Sequence, residues 1–172
     1  MSYANSASRL DPLQWMGLPV LTAVAMTLLF AVPLRIFGLQ PPEPVFPMVL
    51  AFAWAVIRPS MIAPFVLLVL GLLLDLFWGG PVGLWAVALL CAYGLVLAVR
   101  ATLTGRGAVV MWIWYGAACA LAFGVGILVT YMKTASIPSP FALFWQFLIT
   151  VLLYPFAHTL IERFDDADVR FR

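Results

Sequence analysis

The sequence predicts an all-α membrane protein, a bundle of six transmembrane helices. Three observations carry this. First, 65% of the 172 residues are hydrophobic. Second, only 9% are charged, against about 25% in an average soluble domain. Third, the charges are bunched, leaving long uncharged runs between them. A soluble globule so poor in charge could not cover its own surface. This excludes an ordinary cytosolic enzyme, a disordered chain and a nucleic-acid binder with a basic patch. The formal net charge of +2 says little about partners.

The gaps between charges set out the elements in order. Residues 12–34, 76–99, 107–132 and 134–161 are uncharged, and each run is long enough for a span of roughly 20 residues. Residues 44–57 and 59–74 are shorter uncharged runs. The predicted spans are about 15–37, 45–57, 61–77, 84–100, 107–131 and 141–161. They follow a short cytoplasmic N-terminus (1–14) and precede a charged cytoplasmic tail (162–172). Ala23-Val24-Ala25 mimics a signal-peptidase site, but the apolar run continues past it, so the segment reads as a retained first span.

Pro41-Pro42-Glu43-Pro44 is a rigid breaker after the first span. The next run, Val45 to Ile57, has 13 residues and reaches only about 20 Å as a helix, against a hydrocarbon core of about 30 Å. Arg58-Pro59-Ser60 ends it, because a residue before proline is pushed out of helical geometry. Val45–Ile57 and Met61–Phe77 are therefore either two short spans or a re-entrant hairpin. Charge placement favours two spans. With the N-terminus inside, seven arginines (Arg9, Arg58, Arg100, Arg106, Arg163, Arg170 and Arg172) lie on the cytoplasmic side and only Arg35 and Lys133 lie opposite. That is the positive-inside asymmetry, with both termini cytoplasmic. Trp15, Trp54, Trp78, Trp85, Trp112 and Trp145 fall near predicted helix ends, as an interfacial aromatic belt requires.

Asp75 is the main ionisable group at membrane depth, where a carboxylate is costly and faces the bundle or a polar cavity. It reads as a proton relay, a cation site, a contact with a partner helix, or a structural acceptor for backbone donors of the following turn. The structural role is favoured, since no second acid lies at matching depth. The turn, Gly79-Gly80-Pro81-Val82-Gly83, is a tight preset reversal. It lacks the Lys and Ser/Thr of a phosphate loop. In the fifth span Gly116, Ala120 and Gly124 form one small-residue stripe, and Ala118, Ala122 and Gly126 form another. Such stripes permit close helix contact in lipid, within the chain or with a partner protein.

The remaining candidates are bland. Cys91 and Cys119 lie in apolar runs without metal-ligand spacing. His158 has no ligating companions and is placed to steady the last helix against Glu162 at i+4. The tail mixes both signs, unlike a polybasic lipid anchor. No catalytic motif occurs, so no catalytic, cofactor-binding or metal residue is assigned.

The stretch Val69-Leu70-Gly71-Leu72-Leu73-Leu74-Asp75-Leu76-Phe77-Trp78-Gly79-Gly80-Pro81-Val82-Gly83-Leu84 resembles the signature of the rod shape-determining protein MreD family. That signature has a Gly, apolar residues, an Asp and a small-residue turn ending in Gly-Leu. Tyr93 matches a tyrosine of the next helix, and Leu153-Tyr154-Pro155 matches an aromatic-Pro step in the last. The resemblance implies a bundle similar to the six-helix substrate-binding components of energy-coupling-factor transporters. It also implies a non-catalytic bacterial inner-membrane protein of the cell-wall elongation machinery. The implied partners are an MreC-like membrane protein, the RodA glycosyltransferase with its penicillin-binding protein, and, indirectly, MreB filaments. Membrane lipid is expected as surroundings and nucleic acid is not expected. Asp75, Gly79, Gly80, Pro81, Gly83, Tyr93, Gly116, Ala120 and Gly124 are the structural or partner-docking candidates. Two further readings are a vitamin-like solute-binding component, using polar groups among Asp75, Tyr93, Tyr131, Lys133 and Gln146, and a proton-coupled transporter built on Asp75.

Overall fold

In a computed structural model of the chain, every regular element among the described residues is a helix. The structure describes residues 17–31, 43–57, 60–103, 105–135 and 139–169. The Pro41-Pro42 step, the Arg58-Pro59 step, Arg9, Trp15, Arg35, Arg170 and Arg172 lie outside them, and so do the side chains of the tail from residue 163. The helices are α1 (Leu18–Ala31), α2 (Pro47–Ile57), α3 (Ile62–Trp78), α4 (Leu84–Leu103), α5 (Ala108–Thr134), α6 (Pro140–Leu152) and α7 (Tyr154–Val169). Three helical stretches are long and apolar enough to cross a membrane: Leu84–Leu103, Ala108–Thr134 and the joined Pro140–Glu162. α1, α2 and α3 are shorter apolar helices.

The ends follow local chemistry. α3 stops at Gly79, whose φ of 62° is the left-handed geometry that glycine adopts without steric cost. α6 starts after Ser139 with Pro140 in its first turn, where a missing N–H costs nothing.

Within the joined stretch Pro140–Glu162 the helix is interrupted at Leu153. Pro155 has no N–H for the Val151 carbonyl, and its ring crowds that carbonyl. The chain turns at Leu153, whose N–H bonds the Thr150 carbonyl at 3.1 Å. The Trp112 indole points to the freed Val151 carbonyl at 3.4 Å, and the Tyr115 hydroxyl donates to the Thr150 carbonyl at 3.1 Å. α7 then continues as helix to Val169, through most of the segment read from sequence as tail.

α2 is the centre of the bundle. It packs on α1, α3, α4 and α7, and nine consecutive residues, Pro47 to Ala55, are buried. Its sequence, PMVLAFAWAVI, has no polar face to offer. A helix that is apolar all round belongs inside. Trp54 is accordingly fully buried and Trp85 nearly so, which corrects their assignment to an interfacial belt. Trp112 and Trp145 are more than 40% exposed, in keeping with that assignment.

α2 also starts deep. The Val45 N–H donates to the Thr150 hydroxyl at 3.2 Å, and the Gln146 amide donates to the Glu43 carbonyl at 3.0 Å. Thr150 lies about 15 Å along the α6–α7 rod from Pro140. The segment 43–45 therefore lies beside that rod, with the Glu43 carbonyl and the Val45 N–H satisfied by side chains of α6. At the other end of α2, Arg100 of α4 donates to the Val56 and Ile57 carbonyls at 3.1 and 3.4 Å. A cation on the last carbonyls of a helix satisfies orphan acceptors and matches the helix dipole.

Candidate functional site

The site is the junction of α3 and α4, built around Asp75. The carboxylate is 2% exposed. Oδ2 accepts the Gly83 N–H at 2.7 Å and Oδ1 accepts the Trp85 N–H at 2.9 Å. A helix N-terminus leaves backbone N–H groups without partners, and the residue just before the helix usually satisfies one with a side-chain oxygen. Here that residue is Gly83, which has no side chain. Asp75 supplies the oxygens from the neighbouring helix, at the positive end of the α4 dipole. Of the readings open for Asp75, the structure realises the acceptor for the following turn.

Gly71 makes this reach possible. It lies one helical turn before Asp75, on the same face of α3. A Cβ placed there would stand 2.3 Å from the Ala86 Cα and 2.4 Å from the Ala86 N. The first turn of α4 thus rests directly on the α3 backbone. Any side chain at Gly71 would push α4 away from the carboxylate that caps it. The i, i+4 spacing of Gly71 and Asp75 was the available sequence signal, and it points to this contact once the partner is known to be a helix start.

The turn between the helices is fastened from a third side. Lys133, near the end of α5, donates to the Val82 carbonyl at 2.6 Å. Gly79 and Gly83 have φ of 62° and 92°, so both positions favour glycine for their backbone. Gly80 differs. Its φ is not left-handed and an added Cβ would meet nothing within 4 Å. Within this chain neither its backbone nor its surroundings require glycine there. Pro81 accepts the Leu84 N–H at 3.1 Å and closes the turn. Trp78 and Trp85 pack edge to face across the junction, with ring centres 5.2 Å apart.

Glu43 lies before α2 and was read from sequence only as part of a breaker. Burial pushes its carboxyl above the ordinary value near 4.5, and the Trp78 indole beside it offsets part of that push. Glu43 Oε2 and Trp78 Nε1 are both buried without a well-formed hydrogen bond. The two groups therefore approach each other but do not pair fully.

The other candidates do not join this site. Tyr93 is buried, but it lies about 12 Å along α4 from Trp85, with its phenol against the Ser60 backbone. It belongs to the opposite half of the bundle from Asp75. The two stripes of α5 part company. Ala118, Ala122 and Gly126 are buried, with Gly126 against Leu84. Ala120 and Gly124 are exposed, Gly116 is half-buried, and an added Cβ at either glycine would meet nothing within 4 Å. Cys91 and Cys119 are free thiols. His158 Nδ1 stands 3.3 Å from Glu162 Oε1, the pair expected from their spacing. Among the described residues no three His, Cys, Asp or Glu side chains gather to hold a metal ion.

No family model matches the chain. Neither a curated protein nor a solved structure matches it.

Proposed function

We propose that this chain is a non-catalytic scaffold of the bacterial inner membrane. In this reading it crosses the bilayer six times with both termini in the cytoplasm. It serves the cell-wall elongation machinery through an MreC-like partner, as its resemblance to MreD implies. RodA and its penicillin-binding protein are reached directly or through that partner, and MreB filaments indirectly.

The observation that supports this reading is how Asp75 is used. Both oxygens are engaged by the backbone of α4, so the most conspicuous polar group of the bundle holds two helices together. The groups a solute site would draw on are already bonded to backbone or stand apart. Lys133 bonds Val82, Gln146 bonds Glu43, and Tyr93 lies in the other half of the bundle. Groups so engaged are not left free to bind a small molecule, as a specific site requires. The outward stripe Gly116, Ala120 and Gly124 remains as a close-approach surface for a partner helix.

The test is co-purification. Solubilised in mild detergent from its own membranes, the tagged chain should retain an MreC-like protein. Recovery of the folded chain with no cell-wall synthesis partner would contradict the proposal. A thermal shift with vitamins, absent here on this reading, would instead favour the solute-binding alternative.

A further inference from the structure

We propose that α6 is a hinged arm, which swings away from α5 about Leu153 while α7 keeps its place on α2. The proposal rests on the break in the helix and not on which protein partner the chain meets. The two sides of the break are held differently. On the α7 side Tyr154, Ala157 and Ile161 are buried, and the helix packs on α2, α5 and α6. The Tyr154 hydroxyl also donates to the Ala108 carbonyl at the start of α5, at 3.0 Å. On the α6 side Thr150 is fully buried next to the break, but no residue from 140 to 149 is buried. Those residues reach about 15 Å out from the pivot.

The break lowers the resistance to such a swing. Pro155 has no N–H for the Val151 carbonyl, so the backbone bond that would span the break is already missing. The pivot itself is fixed from α5, by the Tyr115 hydroxyl on the Thr150 carbonyl and the Trp112 indole at the Val151 carbonyl. Farther out, a hydrogen bond and a ring contact hold the arm down. The Gln146 amide donates to the Glu43 carbonyl at 3.0 Å. The Phe147 ring meets the Phe123 ring of α5 edge to face, with centres 5.7 Å apart. Beyond them, the Trp145 ring packs on Phe141 and Phe144 of its own helix. In a bilayer, parting α6 from α5 turns apolar surface towards lipid tails that are as apolar as leucine. The swing therefore loses packing but exposes no apolar surface to water. The Gln146 bond is the main resistance, since an amide left unpaired in hydrocarbon is costly. Opening the arm bares Phe123.

The experiment uses the full chain in phosphatidylcholine nanodiscs, with p-acetylphenylalanine at two positions to carry nitroxides, so both free cysteines stay in place. Val69 of α3, Phe144 of α6 and Phe156 of α7 are exposed and suit labelling. Separations from Val69 are read by double electron–electron resonance. The Val69/Phe144 pair should show two separations and the Val69/Phe156 pair one. Gln146→Leu removes the hydrogen bond and Phe147→Ala the ring contact. Each should raise the share of the longer Val69/Phe144 separation several-fold and leave the Val69/Phe156 pair unchanged. A single Val69/Phe144 separation that neither variant moves would overturn the proposal. So would equal broadening of both pairs, because α6 and α7 would then move together. Capture of an MreC-like partner is read separately, so failure of either idea leaves the other standing.

Discussion

The two small-residue stripes of α5 have the same spacing and opposite surroundings. Ala118, Ala122 and Gly126 are pressed into the bundle, while Ala120 and Gly124 look out and Gly116 is half-buried. Gly71 and Gly80 repeat the contrast beside Asp75. One lies against the α4 backbone and the other has free space around it. A small residue marks a place where something approaches closely only when an element is there to approach. Spacing along one helix does not say which side that is.

The largest effect should come from Gly71→Ala. Its Cβ would overlap the Ala86 backbone, and relief requires moving α4 away from Asp75. A loss of about 3 kcal/mol or more is expected, read as a fall in the melting temperature of the detergent-solubilised chain. A normal melt would mean that the α3–α4 contact is looser than described.

Asp75→Ala should come next. It leaves the Gly83 and Trp85 N–H groups without an acceptor in a buried place, at roughly 2–5 kcal/mol for the two. Asp75→Asn should cost less, since one amide oxygen still accepts while the NH₂ group faces a donor. If Asp75 served chemistry instead of capping, both variants would melt normally.

Ala122→Leu overpacks the inner stripe and should cost about 1–3 kcal/mol. A silent Ala122→Leu would erase the distinction between the two stripes.

The smallest effect concerns pH. The folded state holds the Glu43 proton more tightly than the unfolded chain does. Stability is therefore full below about 4.5 and falls as pH rises from there through the raised folded value. Glu43→Gln removes the ionisation while keeping the shape. The melting temperature of that variant should not decline over this window, and above it the variant should melt higher than the parent. Parallel pH profiles for the two chains would show that Glu43 is not the group responsible.

Much of the fold was legible because charge is expensive in an apolar bundle. The ends of α2, α3, α4 and α5 lie within three residues of those read from the uncharged runs. Asp75 was legible for the same reason: a lone carboxylate in an apolar stretch, followed by a turn full of N–H groups, has an obvious use. The break at Leu153 was not read, although Pro155 was in view, because the apolar run passes through it without interruption. The depth of α2 was not legible either. It depends on Gln146 and Thr150, two uncharged polar residues more than a hundred positions from Glu43 and Val45. A reading by charge passes over such residues, and only the tertiary fold shows that they satisfy the Glu43 carbonyl and the Val45 N–H. The burial of Trp54 follows from the same placement of α2.

The interior of this protein is built for packing, and on the proposed function its outward α5 stripe would meet a partner helix. Ala120→Leu tests the surface half of this by two readings on one chain, a thermal melt and capture of the proposed MreC-like partner from mild detergent. The account predicts a melt shifted by no more than about 0.5 kcal/mol in stability, together with loss of the partner. Full retention of the partner by a normally folded Ala120→Leu chain would contradict it.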